Sequence, residues 1–246
     1  MGTLMAASRD AEGSVYRAAK VVLRRWLERA RAAVMAPYDS FRSTPNAAGV
    51  DSTKPFWQTE VERIIAALTP ALQEGWAGAH LPGNYNPNDP FIQANLTLTR
   101  NLLVRIPDEI HALIVAKILD GTNSGKTIDQ VATTVDDVLT YTGSENWDAR
   151  ARTIAQTETT RHFSSSMLAH GLLAERQDGT PMEKTWETLT DGKERSSHRD
   201  ADKQTRPLSQ PFLVGGFPMM FPGDPNAPAD EVCGCRCYLS IKKVGS

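Results

Sequence analysis

Apolar residues recur every three or four positions through most of the first 176 residues, the spacing of a helix with one buried face. The pattern predicts helices over residues 13–35, 57–77, 91–119, 128–140 and 146–176. We expect Pro37 to end the first helix, Pro70 to kink or split the second and Pro107 to interrupt the third, because proline lacks the backbone donor of a helix interior. Thr127 is placed to cap the fourth helix.

The pattern changes after residue 178. Residues 183–190 alternate polar and apolar positions, which predicts a strand, and residues 232–244 predict a second strand that pairs antiparallel with the first. Residues 38–56 and 80–90 are rich in turn-forming residues and predict a linker and a loop.

These elements predict an α+β fold. A mainly α-helical N-terminal body is followed by a small, irregular α+β C-terminal domain with a short antiparallel sheet. We place the boundary between the two after residue 145, which gives domains of residues 1–145 and 146–246.

Composition and charge narrow the class of protein. The chain has 246 residues and a formal net charge of -2, so its whole surface is not a basic nucleic-acid-binding field. No apolar run approaches the roughly 18 residues of a membrane-spanning helix. Residues 9–31 carry seven basic and three acidic residues, a local charge of +4. That strip is either a solvated helix face or a surface that binds phosphate groups or a partner protein.

The three cysteines stand at alternate positions near the end of the chain, as Cys233, Cys235 and Cys237. An extended strand would place them on one face. An odd, clustered set is not a disulfide framework and fits a reducing cytoplasm. With His198 they supply donors suited to tetrahedral Zn²⁺, and the alternative is that they are small side chains packed in a core.

Two further groups are candidates for chemistry. His198, in a charged loop with Asp200 and Asp202, could act as an acid–base group or could anchor the loop by hydrogen bonds. Glu158 and Arg161 lie three residues apart on the last predicted helix. They could form an exposed ion pair, or they could be buried and link this helix to the tail. The sequence has no nucleophile elbow, H-E-x-x-H motif or P-loop.

Six short motifs follow one another in order through residues 150–240. They are an A-x-T-E-x-x-R helix, a strand that carries a tryptophan, a loop that ends in histidine, an aromatic segment, P-G-D-P and a closing C-R-C. In the same order, their residues are Ala155, Thr157, Glu158 and Arg161; Trp186; 194–198; 211–212; 222–225; and 231–237. The ordered set resembles the C-terminal domain of the phage Mu F-like head morphogenesis (minor capsid) proteins. Gly234 departs from the asparagine that the family often has before C-R-C.

The resemblance implies roles for residues of the tail. It implies that Glu158 and Arg161 link helix to tail, and that His198, Cys235 and Cys237 form one spatial cluster. Cys233 is an extra thiol at a usually aliphatic position, which implies packing. Trp186 and Arg236 belong to the same structural motif.

The resemblance also implies a function. Proteins of this family are expected inside the head, in few copies, and in the host cytoplasm during assembly. Expected partners are the portal protein, the major capsid or scaffold protein, and packaged DNA, with no membrane, no cofactor and no enzymatic activity. The N-terminal residues 1–145 are then a docking region, with the basic first helix facing portal or DNA.

Two alternatives stay open. The chain could be a Zn-dependent hydrolase, nuclease or toxin-like effector that uses His198 with the C-terminal cysteines. It could also be a simple nucleic-acid-binding module, for which the basic strip of residues 9–31 is the sole support.

Overall fold

The structure is a computed structural model that describes residues 2–245, with side chains from Arg9 onward. The helices in this part of the chain are α1 (Gly2–Phe41), α2 (Ala48–Asp51), α3 (Lys54–Ala67), α4 (Thr69–Gly78), α5 (Pro90–Leu103), α6 (Ile106–Asn123), α7 (Ile128–Leu139), α8 (Trp147–Asp178), α9 (Ser196–Ala201) and α10 (Ala229–Val232). The strands are β1 (Met182–Glu187), β2 (Thr205–Pro207), β3 (Phe212–Val214), β4 (Phe217–Met219) and β5 (Tyr238–Lys243). None of the helices among these residues has the length and apolarity to cross a membrane.

The fold class predicted from the pattern is confirmed, since a helical body precedes a small tail with short antiparallel sheets. By backbone contacts the chain forms two compact units, each assembled from separate segments. The first unit comprises Met1–Tyr16, Ala66–Thr99 and Thr153–Ser246, and the second comprises Arg17–Ile65 and Arg100–Arg152. The boundary proposed after residue 145 stays a prediction.

Three tryptophans form the core of the second unit. The Trp26 ring lies 5.2 Å from Trp57 and 6.1 Å from Trp147 between ring centroids, and all three side chains are fully buried. Each indole N–H has an acceptor; that of Trp26, for example, donates to the Thr53 hydroxyl at 2.9 Å. Bulky rings whose polar ends are satisfied stabilise the unit through buried apolar area.

The basic strip on α1 is largely paired within the second unit. Arg25 forms an ion pair with Glu60 at 3.0 Å, and Arg31 forms one with Asp136 at 2.5 Å. The Arg29 guanidinium stacks over the Phe56 ring, with 4.1 Å from Cζ to the ring centroid, and that of Arg24 stacks over the Tyr141 ring at 4.3 Å. These arginines therefore already serve intramolecular contacts.

The tail of the first unit contains a three-stranded sheet and a hairpin. The sheet has the order β2-β1-β5, and the predicted antiparallel pairing of β1 with β5 is confirmed, with Met182 opposite Lys243 and Glu187 opposite Tyr238. Strands β3 and β4 form the separate hairpin. The core beneath them includes Trp186 and Phe212, both fully buried, beside Leu168 of α8.

Prolines behave as predicted at two positions and not at the third. The predicted split at Pro70 is confirmed by the break between α3 and α4, and the interruption near Pro107 by the break between α5 and α6. Pro37 does not end α1, which continues to Phe41. The missing Pro37 donor costs a single helical bond, the one to the carbonyl of Ala33, and the helix continues past it.

The turn-rich segments are also resolved by the structure. The loop over residues 80–90 is confirmed, and Thr127 caps α7 in a reciprocal capping box with Gln130. The predicted linker over residues 38–56 is wrong in part, because it contains α2 and the start of α3. Val50 in α2 is fully buried, so apolar burial fixes the segment despite its turn-rich composition.

Candidate functional site

A buried charge network on α8 lies within the first unit. Arg161 and Glu158 are 2% and 5% exposed, so the exposed-pair alternative does not describe them. Arg161 Nη1 donates to Glu158 Oε1 at 2.9 Å and Oε2 at 2.8 Å, and it reaches the hydroxyl oxygen of Thr99 on α5 at 3.2 Å. The Thr99 hydroxyl in turn donates to Glu158 Oε2 at 2.7 Å.

The same arginine joins α8 to the tail. Arg161 Nε donates to the carbonyl oxygen of Gly223, in the P-G-D-P segment, at 2.9 Å. Gly223 has φ +84°, and a Cβ there would lie 3.0–3.2 Å from atoms of Arg161. Only glycine satisfies both the left-handed backbone and this close approach.

His162 completes the network on the buried side of α8. Its Nε2 lies 3.0 Å from the Thr99 hydroxyl oxygen. Burial, followed by the charge of Arg161, lowers the pKa of His162 to about 3. The imidazole is therefore neutral at physiological pH.

Two threonines of α8 hold the cysteine segment. The backbone N–H of Gly234 donates to the Thr157 hydroxyl at 2.9 Å, and the Thr160 hydroxyl donates to the carbonyl oxygen of Cys235 at 2.7 Å. Residues three apart share one face of a helix. One turn of α8 therefore fixes the backbone from which Cys235 projects.

His198, Cys235 and Cys237 form one buried cluster. His198 Nδ1 lies 3.3 Å from the Cys237 sulfur and 3.6 Å from the Cys235 sulfur, and all three donor atoms lie within 4.8 Å of one another. The side chains are 2%, 5% and 1% exposed, for His198, Cys237 and Cys235 in turn. The structure thus brings together the three residues predicted as a cluster.

The contacts within the cluster shift the pKa of all three side chains. A hydrogen bond from Cys237, opposed by burial and supported by His198, lowers the pKa of Cys235 to about 5. The same contact and burial raise the pKa of Cys237. Burial alone would lower the pKa of His198, but the hydrogen bond and charge of Cys235, with Glu231, raise it.

The second nitrogen of His198 faces a carboxylate. His198 Nε2 lies within ion-pair distance of Glu231 Oε2, at 3.1 Å, and the Ser197 hydroxyl donates to the same oxygen at 2.8 Å. A Cβ on Gly215 would lie 2.2 Å from Glu231 Oε1, so glycine at that position leaves room for the carboxylate. The ring is therefore oriented with Nδ1 towards the sulfurs.

A small cavity of about 30 Å³ adjoins the cluster. Its walls include His198, both buried cysteines and the polar residues Glu194 and Arg236. Arg236 lies at one side of the cavity and forms a bidentate ion pair with Asp191, at 2.6 and 3.0 Å. The space suits one water molecule or ion and is far smaller than the roughly 300–1,000 Å³ of small-molecule sites.

Trp186 is fully buried beside the cluster. Its ring stands edge-on to His198, with 5.5 Å between centroids, and edge-on to Phe212 at the same distance. Lys184, on the same face of β1, is also buried and donates to the carbonyl oxygen of Met220 at 2.7 Å. Burial, opposed by the charge of Asp224, lowers the pKa of Lys184 to about 8.

Two expectations about the cysteine segment and one about His198 are wrong. The segment is not one strand, because α10 ends at Val232 and β5 begins only at Tyr238. Cys233 is exposed and does not pack in the core, since Gly234 with φ +69° turns the chain between it and Cys235. His198 lies on the short helix α9 and not in an irregular loop.

Sequence reasoning missed several residues of the network. Thr99 has no local signal, because its partners are about 60 residues away in the chain. Thr157 and Thr160 carry a signal in their three-residue spacing on the motif helix. Lys184 stands two residues before Trp186, and strand alternation alone places both on the buried face.

One of the comparisons with known proteins assigns the chain to a family. Residues 112–240, more than half of the chain, match the model of the family described as Phage Mu protein F like protein. The chain therefore belongs to this family, and its membership supports a bacteriophage head morphogenesis protein associated with the virion. The match begins upstream of the tail motifs, within α6, and includes α7. The searches of curated proteins and of solved structures gave no match.

Proposed function

We propose that the protein is a minor capsid protein that binds the portal protein during procapsid assembly and acts by interaction, without catalysis. Family membership over residues 112–240 is the observation that carries the proposal. In this proposal the protein is retained in the head interior and is present in the host cytoplasm only during assembly.

The geometry of the tail supports a structural role for the motif residues. Glu158, Arg161, Thr157 and Thr160 are engaged with one another or with the tail backbone. Substrate chemistry needs reactive groups that a ligand can approach, whereas these side chains hold backbone segments in place.

The portal protein is the proposed first partner, and the major capsid or scaffold protein is the second. Packaged DNA is a weaker proposal, because four of the α1 arginines, Arg24, Arg25, Arg29 and Arg31, already contact Glu60, Asp136 or an aromatic ring. Phosphate contacts require basic groups that are available to the backbone of the nucleic acid.

Co-expression with the portal protein tests the proposal. The tagged full chain should retain the portal of its own phage through affinity and size-exclusion steps, and the portal of an unrelated phage is the matched control. Retention of the cognate portal alone is the expected result. Equal retention of both portals, or of neither, would overturn the proposal.

A metal-dependent hydrolase, nuclease or toxin-like effector is the second candidate, and the His198–Cys235–Cys237 cluster is the observation in its favour. A catalytic zinc keeps an open coordination position for water or substrate. Burial of all three donors and the 30 Å³ cavity weigh against substrate access. Hydrolysis of nucleic acid that is lost in His198→Ala and retained in Cys233→Ser would favour this candidate.

A further inference from the structure

We propose that His198, Cys235 and Cys237 bind a structural Zn²⁺ that fastens the end of the tail to helix α9. This inference goes beyond the proposed portal function and stands independently of it. His198 lies on α9, and the two cysteines lie between α10 and β5, so the ion would join segments almost 40 residues apart in the chain.

The distances between donor atoms fit a zinc ion. Tetrahedral Zn²⁺, with Zn–S of about 2.3 Å and Zn–N of about 2.0 Å, places a bound sulfur and a bound nitrogen about 3.5 Å apart. His198 Nδ1 lies 3.6 and 3.3 Å from the sulfurs of Cys235 and Cys237. Thiolate and imidazole together are the donors that favour zinc over Mg²⁺ or Ca²⁺.

The surroundings of His198 are those of a metal-binding histidine. Such a histidine presents one nitrogen to the ion and donates its other N–H to a carboxylate, which fixes the tautomer and the ring orientation. Here Glu231 Oε2 lies 3.1 Å from Nε2, within ion-pair distance but without the geometry of a hydrogen bond, and Ser197 donates to that same oxygen. We assign Glu231 as the orienting residue, since a small rotation of the imidazole on metal binding would align its N–H with that oxygen.

We assign the fourth position to Glu194, whose carboxylate lies outside the 4.8 Å group of the other three donors and would move towards the ion on binding. Its Oε2 is buried, has no hydrogen-bond partner among the described residues, and belongs to a residue that lines the cavity beside the cluster. A buried carboxylate oxygen without a partner is costly, and a cation would compensate it. Four protein ligands make a closed, structural site with no position for substrate.

Metal analysis of the purified full chain tests the proposal. The wild-type protein should carry one zinc per chain, and His198→Ala, Cys235→Ser and Cys237→Ser should each retain less than about a tenth of it. Cys233→Ser is the matched control, because this exposed thiol lies two residues from Cys235, and it should keep its zinc. Folded wild-type protein that takes up no added zinc would overturn the proposal, as would equal loss in Cys233→Ser.

A second measurement does not depend on whether the ligand variants fold. A chelator added to the wild-type protein should lower its melting temperature and change the fluorescence of Trp186, which stands 5.5 Å from His198. Zinc should reverse both changes and Mg²⁺ should not. Two results together would overturn the proposal: a melting temperature that the chelator does not change, and two buried thiols that react with a thiol reagent before the chelator is added. They would show that the cluster is a thiol–imidazole pair without a metal.

The orienting residue and the fourth ligand have their own test. Glu231→Gln should weaken zinc affinity about 10- to 100-fold, the usual effect of removing an outer-shell partner of a ligand. Glu194→Ala should weaken it at least as much. The control is Glu183→Gln, which removes a surface ion pair with Lys242. Unchanged affinity in Glu231→Gln and Glu194→Ala would overturn the assigned roles.

Discussion

The Arg161 guanidinium donates through Nε to the carbonyl oxygen of Gly223 at 2.9 Å, and through Nη1 to both carboxylate oxygens of Glu158. One buried side chain thus carries a salt bridge within α8 and a hydrogen bond to a tail segment 62 residues away. A carboxylate buried in this way is tolerated only while its partner is present.

Arg161→Ala should lower the free energy of unfolding by roughly 3–5 kcal/mol, because it leaves the Glu158 carboxylate buried and unpaired. Chemical denaturation followed by circular dichroism measures the change. Arg152→Ala is the control: this arginine is 65% exposed and pairs with Asp148 on the same helix, so its loss should cost at most about 1 kcal/mol. Similar losses in the two variants would contradict the buried link.

Gly223→Ala should destabilise the protein more than Gly192→Ala does. Both glycines have left-handed backbones, at φ +84° and +77°, but a Cβ on Gly192 meets nothing within 4 Å. Each alanine should cost about 1–2 kcal/mol for the backbone, and Gly223→Ala a further 1–3 kcal/mol, roughly, for displacing Arg161. Thermal unfolding of the two variants side by side gives the difference, and equal costs would refute the close approach.

His162 should make the protein sensitive to acid. Its folded-state pKa of about 3 lies below the ordinary value of 6.5, so the unfolded chain binds the extra proton between those two values. Stability should therefore fall as the pH drops below 6.5, by up to about 1.4 kcal/mol per pH unit from this group.

His162→Gln removes the titrating group and keeps an N–H that can face Thr99. The slope of unfolding free energy against pH, measured between about pH 6 and 4, should become shallower by nearly one proton. If His162→Gln keeps the wild-type slope, the assigned protonation behaviour is wrong.

Thr160→Val should cost about 0.5–1.5 kcal/mol, since it removes the donor to the Cys235 carbonyl and preserves the shape of the side chain. Thr133→Val is the matched change on α7, where the hydroxyl bonds only its own helix, at the carbonyl of Asp129. That control should change stability by less than about 0.5 kcal/mol. Urea denaturation of both variants decides whether the contact between α8 and the cysteine segment stabilises the tail.

The sequence pattern predicts the helical body well because apolar spacing and proline positions act locally. The split at Pro70 and the cap at Thr127 follow from chemistry within four residues. The pattern fails at Pro37, which lies inside α1, and in the segment that contains Val50, where burial outweighs local preference. The strand prediction for the cysteine segment is wrong for a different reason, because Gly234 adopts a positive φ and permits a turn that the alternating pattern does not indicate.

The candidate site is only partly visible in the sequence. His198, Cys235 and Cys237 stand out by residue type, and the family resemblance places them together. Thr99 reaches the network from another helix, through contacts that no spacing along the chain encodes. The orienting role of Glu231 similarly requires the folded backbone.

The central claim is that this member of the Mu F-like family is a portal-associated component of the phage head. Mass spectrometry of purified procapsids and mature heads tests it most directly. The account predicts the chain in both particles, in few copies relative to the major capsid protein, and its loss from particles assembled without portal. Particles that lack the protein, or that carry it equally without portal, would contradict the account.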